Sequence, residues 1–146
     1  MYKIDVARVV DGSIDAIWAV LADFANLDWY APVEKVEKVG EGIGQIRRVY
    51  MANMPEPVEE VLDTVNADAF VLEYHIPATG SNIMLDYSVT AALRLLDSGK
   101  VEARWQAQFS GIKDALLPAE QMVEIMDKTY GDMILVLAET AAKRAQ

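Results

Sequence analysis

The sequence predicts an α+β fold in which a curved antiparallel sheet of about seven strands wraps around one long C-terminal helix. Three observations lead there. A period-two segment is followed at once by a helical one near the N-terminus, a run of short alternating segments fills residues 33–109, and an apolar stripe at helical spacing occupies the chain after Pro118. With 146 residues, 53% of them apolar and 25% charged, the chain has enough apolar surface for one core, and residues 1–146 read as a single domain.

Each element has a local cause. Residues 2–10 alternate Ile4, Val6, Arg8 and Val10 against Lys3, Asp5, Ala7 and Val9 before the turn pair Asp11-Gly12. Ser13 is placed to cap a helix, because its hydroxyl can accept from a free first-turn amide, and Ile14, Ile17, Trp18, Leu21 and Phe24 then fall on one face as far as about Asp23. Residues 24–32 are short and aromatic. Pro32 disfavours helix at Ala31, so a second short helix of one or two turns is the most that fits.

Turn chemistry at 40–42, 55–57, 66–68, 77–81 and 97–99 divides the middle of the chain into a meander. Its clearest strand puts Ile83, Leu85, Tyr87, Val89, Ala91, Leu93 and Leu95 on one face, with Met84, Asp86, Ser88, Thr90 and Arg94 on the other. The next strand sets Val101, Ala103, Trp105, Ala107 and Phe109 against Glu102, Arg104, Gln106 and Gln108. Pro118 opens the last helix at a first-turn position, and Met122, Ile125, Met126, Thr129, Met133, Val136 and Leu137 mark its stripe. Gly131, inside that helix, costs roughly 1 kcal/mol against alanine, so its missing side chain is expected to leave room for a pocket or for close packing.

Composition excludes several classes of function. Thirteen Lys and Arg against 23 Asp and Glu give a net charge of −10, a field that repels phosphate backbones and anionic lipid headgroups, so no nucleic acid is expected as a partner. The absence of Cys removes disulfides, thiolate metal sites and cysteine nucleophiles, and one His with no calcium-loop spacing argues against a metal. No Gly-rich phosphate loop or nucleophile elbow is present, and no cofactor is expected. Without an 18-residue apolar run or a signal-peptide pattern, no membrane insertion is expected and a cytoplasmic location is the reading.

The segments Ala16-Ile17-Trp18-Ala19-Val20-Leu21-Ala22-Asp23-Phe24, Trp29-Tyr30-Ala31-Pro32 and Gly44-Gln45-Ile46-Arg47 carry a resemblance, as do three more downstream. These are Val58-Glu59-Glu60-Val61-Leu62, Phe70-Val71-Leu72-Glu73-Tyr74, and Val101-Glu102-Ala103-Arg104-Trp105 leading to Phe109. Nearly end to end, the chain resembles the SRPBCC superfamily of START and Bet v 1 type, in particular its bacterial polyketide cyclase/dehydrase-like and lipid-transport proteins. It departs from the pattern at Gly12-Ser13, where an Ala-Pro pair is usual, and at Asn66, where an Asp is usual. The resemblance implies a helix-grip fold with a cavity between sheet and last helix that admits a small hydrophobic or aromatic molecule. Members of this type include binders, carriers, hormone sensors and cyclases, so fold alone does not choose between enzyme and receptor.

Strand parity leaves open whether Arg47 or Arg48 faces inward. The resemblance favours Arg47, which matches the inward arginine of a Gly-x-x-Arg segment, and Glu60 matches a family acid. An arginine and a glutamate removed from water would each be costly alone, so the two are expected to pair; that pair could be purely structural, or its guanidinium could also hold a ligand oxygen. Tyr74 and Tyr87 would add hydroxyls, and Trp105 a ring for stacking. On the last helix Met122, Met126, Tyr130 and Met133 would complete the lining, with Met51 and Met54 nearby, although Met and aromatic stripes are more often plain core. His75 follows inward Tyr74 by one residue and should point outward. The expected function is ligand binding oriented by an Arg/Glu/Tyr patch. The competing reading is a cyclase, aromatase or lyase in which Arg47 stabilises an enolate and Glu60 or Tyr74 moves a proton. Either a monomer or a homodimer is compatible with these features.

Overall fold

A computed structural model describes residues 1–146. Strand β1 (Tyr2–Val10) is followed by helix α1 (Ile14–Ala22), capped by Ser13, whose hydroxyl accepts from the Ala16 amide at 3.3 Å. The meander then runs through β2 (Val33–Val39), β3 (Ile46–Met51), β4 (Val58–Asn66), β5 (Val71–Ile76), β6 (Met84–Leu85), β7 (Tyr87–Leu95), β8 (Val101–Phe109) and β9 (Gly111–Ile112). Helix α2 (Ala119–Arg144) ends the chain, with Pro118 as its N-cap.

Seven strands form one antiparallel sheet in the order β1-β8-β7-β5-β4-β3-β2, while β6 and β9 pair separately. Alternation along β8 buries Val101, Ala103, Trp105, Ala107 and Phe109 on one face, and across the register Trp105 lies opposite Val6 of β1 and Ala91 of β7. Helix α2 lays Tyr130, Gly131, Ile134, Leu137 and Ala141 onto this face, packing mainly on β1 and α1 and only lightly on β8. The architecture is the helix-grip arrangement, with two α-helices in all.

Two expectations require correction, and one open alternative is decided. The second short helix after β1 does not form. Asn26 instead folds the segment on itself, its side-chain oxygen accepting from the Asp28 amide at 3.1 Å and its carbonyl from Trp29 Nε1 at 3.1 Å, which offers the backbone an alternative to helix. The long strand expected over residues 83–95 is broken at Asp86, which adopts a φ of 50° and accepts from Ser110 Oγ at 2.5 Å. This left-handed residue, which Asp tolerates better than most, resets the alternation so that Met84 and Tyr87 are both buried. At Gly131, of the two alternatives, close packing holds. A Cβ there would stand 2.5 Å from Arg8 Nη2, so the glycine makes room for the Arg8 side chain on the covered face of β1.

Candidate functional site

The polar groups inside the grip come from β3, β4, β5, β7, β8 and α2. Arg47 on β3 is 8% exposed, and Glu60 stands directly opposite it on β4 in the strand register. Arg47 Nε donates to Glu60 Oε1 at 2.6 Å, and Nη1 donates to the Phe24 carbonyl at 2.8 Å, just past the end of α1. The guanidinium carbon sits 3.9 Å from the centre of the Phe24 ring and 4.9 Å from that of Tyr74, so two aromatic faces and a carboxylate hold the cation. Arg48, one residue on, points the other way, to Glu59 and Glu37 on the outer face.

Tyr74 on β5, Tyr87 at the start of β7 and Tyr130 on α2 are all buried, and the hydroxyls of Tyr87 and Tyr130 are hydrogen-bonded to each other. Burial pushes the Tyr74 hydroxyl well above its ordinary range, with the Glu60 charge adding to the effect and Arg47 opposing it. Burial likewise raises Tyr87, with Tyr74 and Glu60 adding to the effect and the hydrogen bond to Tyr130 opposing it, and raises Tyr130, reinforced by Tyr87, Tyr74 and Glu60. These three phenols therefore remain neutral donors at physiological pH.

Trp105 on β8 is 2% exposed. Met122, Met126 and Met133 on α2 are half-buried and pack against the core; Met51 is half-buried and Met54 exposed. His75 is exposed on the outer face, where its Nδ1 meets the Asp63 carboxylate at 2.8 Å. No group of three or more His, Asp or Glu converges to hold a metal ion.

Two surface concavities stand out elsewhere. One of about 250 Å³ lies against residues 25–28 and 33–36, and one of about 540 Å³ lies where β5 and β7 diverge, lined by residues 75–78 and 85–88. Neither has a lining residue from α2. The larger reaches Tyr87, and through it touches the polar row.

Two partners of the site escaped sequence reading. Phe24 serves through its backbone carbonyl and ring, which no side-chain pattern reports. Asn82 is buried, its Nδ2 donating to the carbonyls of Ile76, Pro77 and Met84 at 2.9–3.1 Å while its Oδ1 accepts from the Met84 amide at 3.0 Å. It fixes the loop beside the larger concavity, and the only sequence signal was an Asn at the end of a turn-rich stretch.

Solved structures of the same architecture include XoxI from Bacillus cereus, at TM-score 0.83 and 16% identity over 100% of this chain and 99% of that one. Ara h 8.0201 aligns at TM-score 0.76 and 18% identity, covering 97% and 98% of the two chains. The Zhui aromatase/cyclase from Streptomyces sp. R1128 aligns at TM-score 0.74 and 24% identity, covering 99% and 96%. At such identities the likeness is one of fold. No curated protein matches the sequence. The profile of the polyketide cyclase/dehydrase and lipid transport family, however, matches residues 1–139, nearly the whole length over which the strands, α1 and α2 have just been traced, and the chain belongs to that family.

Proposed function

We propose that this protein binds a small hydrophobic or aromatic molecule between the sheet and α2, oriented by Arg47, Glu60 and the tyrosines. The observation that carries this reading is the 2.6 Å ion pair between Arg47 and Glu60. A general base must be free to take a proton, whereas a carboxylate neutralised by a buried guanidinium is held as a structural counter-ion. The three tyrosines, kept neutral by burial, also act as donors and not as bases. A guanidinium carries five N–H donors, so the bonds to Glu60 and Phe24 leave others for a ligand oxygen. No helix of the chain is long and apolar enough to cross a membrane.

The test is a titration with N-phenyl-1-naphthylamine, a neutral probe that fluoresces in apolar surroundings. One saturable site per chain is expected, and 2-naphthoate should displace the probe less well from the Arg47→Met/Glu60→Gln double variant than from the unaltered protein. The double change avoids stranding a buried charge. No saturable binding, or identical displacement from both proteins, would refute the reading.

A further inference from the structure

We infer that Trp105 is a specificity-determining residue whose indole N–H receives an acceptor oxygen of the ligand, so that the site selects a neutral carbonyl-bearing molecule over a hydrocarbon of the same shape. The inference rests on the binding reading above and assigns the group that discriminates within it.

The fully buried side-chain nitrogens and oxygens of the interior are otherwise partnered. Asn82 makes four hydrogen bonds, Arg47 makes two, and Tyr87 and Tyr130 bond each other. Trp105 Nε1 is the one fully buried side-chain nitrogen or oxygen that has no hydrogen-bond partner. Buried polar atoms without partners are a small minority in folded proteins, because a donor stripped of water and given nothing in return is costly.

The neighbours of Trp105 along β8 on the same face are Ala103 and Ala107, and directly across on β7 stands Ala91, so three small side chains flank it on the covered face of the sheet. The indole N–H lies beside the Tyr74 hydroxyl, near enough to favour that phenol's charged form against burial, but it does not make a hydrogen bond of ordinary geometry with it. Tyr74 in turn lies under the Arg47 guanidinium. The unsatisfied donor is therefore at the polar row, where a ligand oriented by Arg47 would place its oxygen. A neutral carbonyl suits it better than a carboxylate, because the N–H is uncharged and the chain carries a net charge of −10.

The experiment compares 2-acetonaphthone with 2-ethylnaphthalene, which share a shape and differ in the carbonyl. Indole N–H signals of the ¹⁵N-labelled protein are followed by NMR, Trp105 being assigned by its disappearance in Trp105→Phe. The ketone should shift the Trp105 signal downfield and the hydrocarbon should not. Trp105→Phe should weaken the ketone about tenfold or more while changing the hydrocarbon less than about threefold, the discrimination expected of a site built to hydrogen-bond its ligand. Should the variant fail to fold, the two titrations of the unaltered protein still decide, with the Trp105 signal assigned by elimination from the signals lost in Trp18→Phe and Trp29→Phe. Equal shifts with both probes, or equal losses in the variant, would overturn the role of Trp105 while leaving ligand binding in place. If neither probe binds the unaltered protein, the binding reading fails and this inference with it.

Discussion

Replacing Arg47 by Met at similar length removes a charge from between Glu60, Phe24 and Tyr74 without opening a large void. Three losses follow. The Glu60 carboxylate, whose side chain is 20% exposed, keeps only partial access to water, and breaking a buried pair by removing one partner costs about 3–5 kcal/mol, less here because of that access. The Phe24 carbonyl loses a charge-assisted donor at 2.8 Å. The cation over two rings also goes, although the Met sulfur retains some aromatic contact. A destabilisation of about 3 kcal/mol is expected for Arg47→Met. Glu60→Gln should cost about 1–2 kcal/mol, since its amide oxygen can still accept from Nε. The double variant should fall well short of the sum, with a coupling near 2 kcal/mol, because removing both charges leaves neither stranded. Urea unfolding followed by circular dichroism, with an unchanged m-value, measures each corner of the cycle. A coupling below about 0.5 kcal/mol would mean that the two charges do not depend on each other, and the reading of Glu60 as a neutralised counter-ion would be wrong.

Two further outcomes follow from the same interior. Because Tyr74, Tyr87 and Tyr130 ionise at higher pH in the folded state than in the unfolded chain, the stability they contribute is fully present below about pH 10 and is lost as pH rises beyond it, by up to roughly 4 kcal/mol per pH unit for the three together. Absorbance at 295 nm should show these three of the six tyrosines ionising only with unfolding, and their titration in an intact fold would contradict their burial. Gly131→Ala should leave stability unchanged or raise it by up to about 1 kcal/mol, since the Cβ meets only the mobile end of exposed Arg8 and alanine favours helix. Thermal melts and the naphthylamine titration check it, and lost probe binding would show that the glycine does keep space for a ligand.

The elements themselves were legible because their causes are local. Alternation in 101–109 placed Trp105 and its alanines on the covered face, and Ser13 marked the start of α1, since a period of two and a capping hydroxyl act within a few residues. Locality also explains the failures. Asp86 breaks a strand whose composition reads as continuous, because its left-handed backbone is supported by Ser110, 24 residues away in sequence. Whether Gly131 served a pocket or close packing stayed open in sequence, and only β1, by bringing Arg8 against it, decided for packing.

The site divides along the same line. Residue types and parity were enough to nominate Tyr74, Tyr87 and Trp105 as inward groups, whereas parity left Arg47 and Arg48 undecided and only the family resemblance chose Arg47, with Glu60 as its partner. Which groups satisfy one another was decided only in three dimensions. The Phe24 carbonyl accepts from Arg47 across 23 residues, Tyr87 and Tyr130 meet across 43, and the Trp105 N–H is left without an acceptor. Hydrogen bonding depends on ångström separations and angles set by strand register, sheet curvature and the seat of α2, none of which is encoded in the pattern of any one segment.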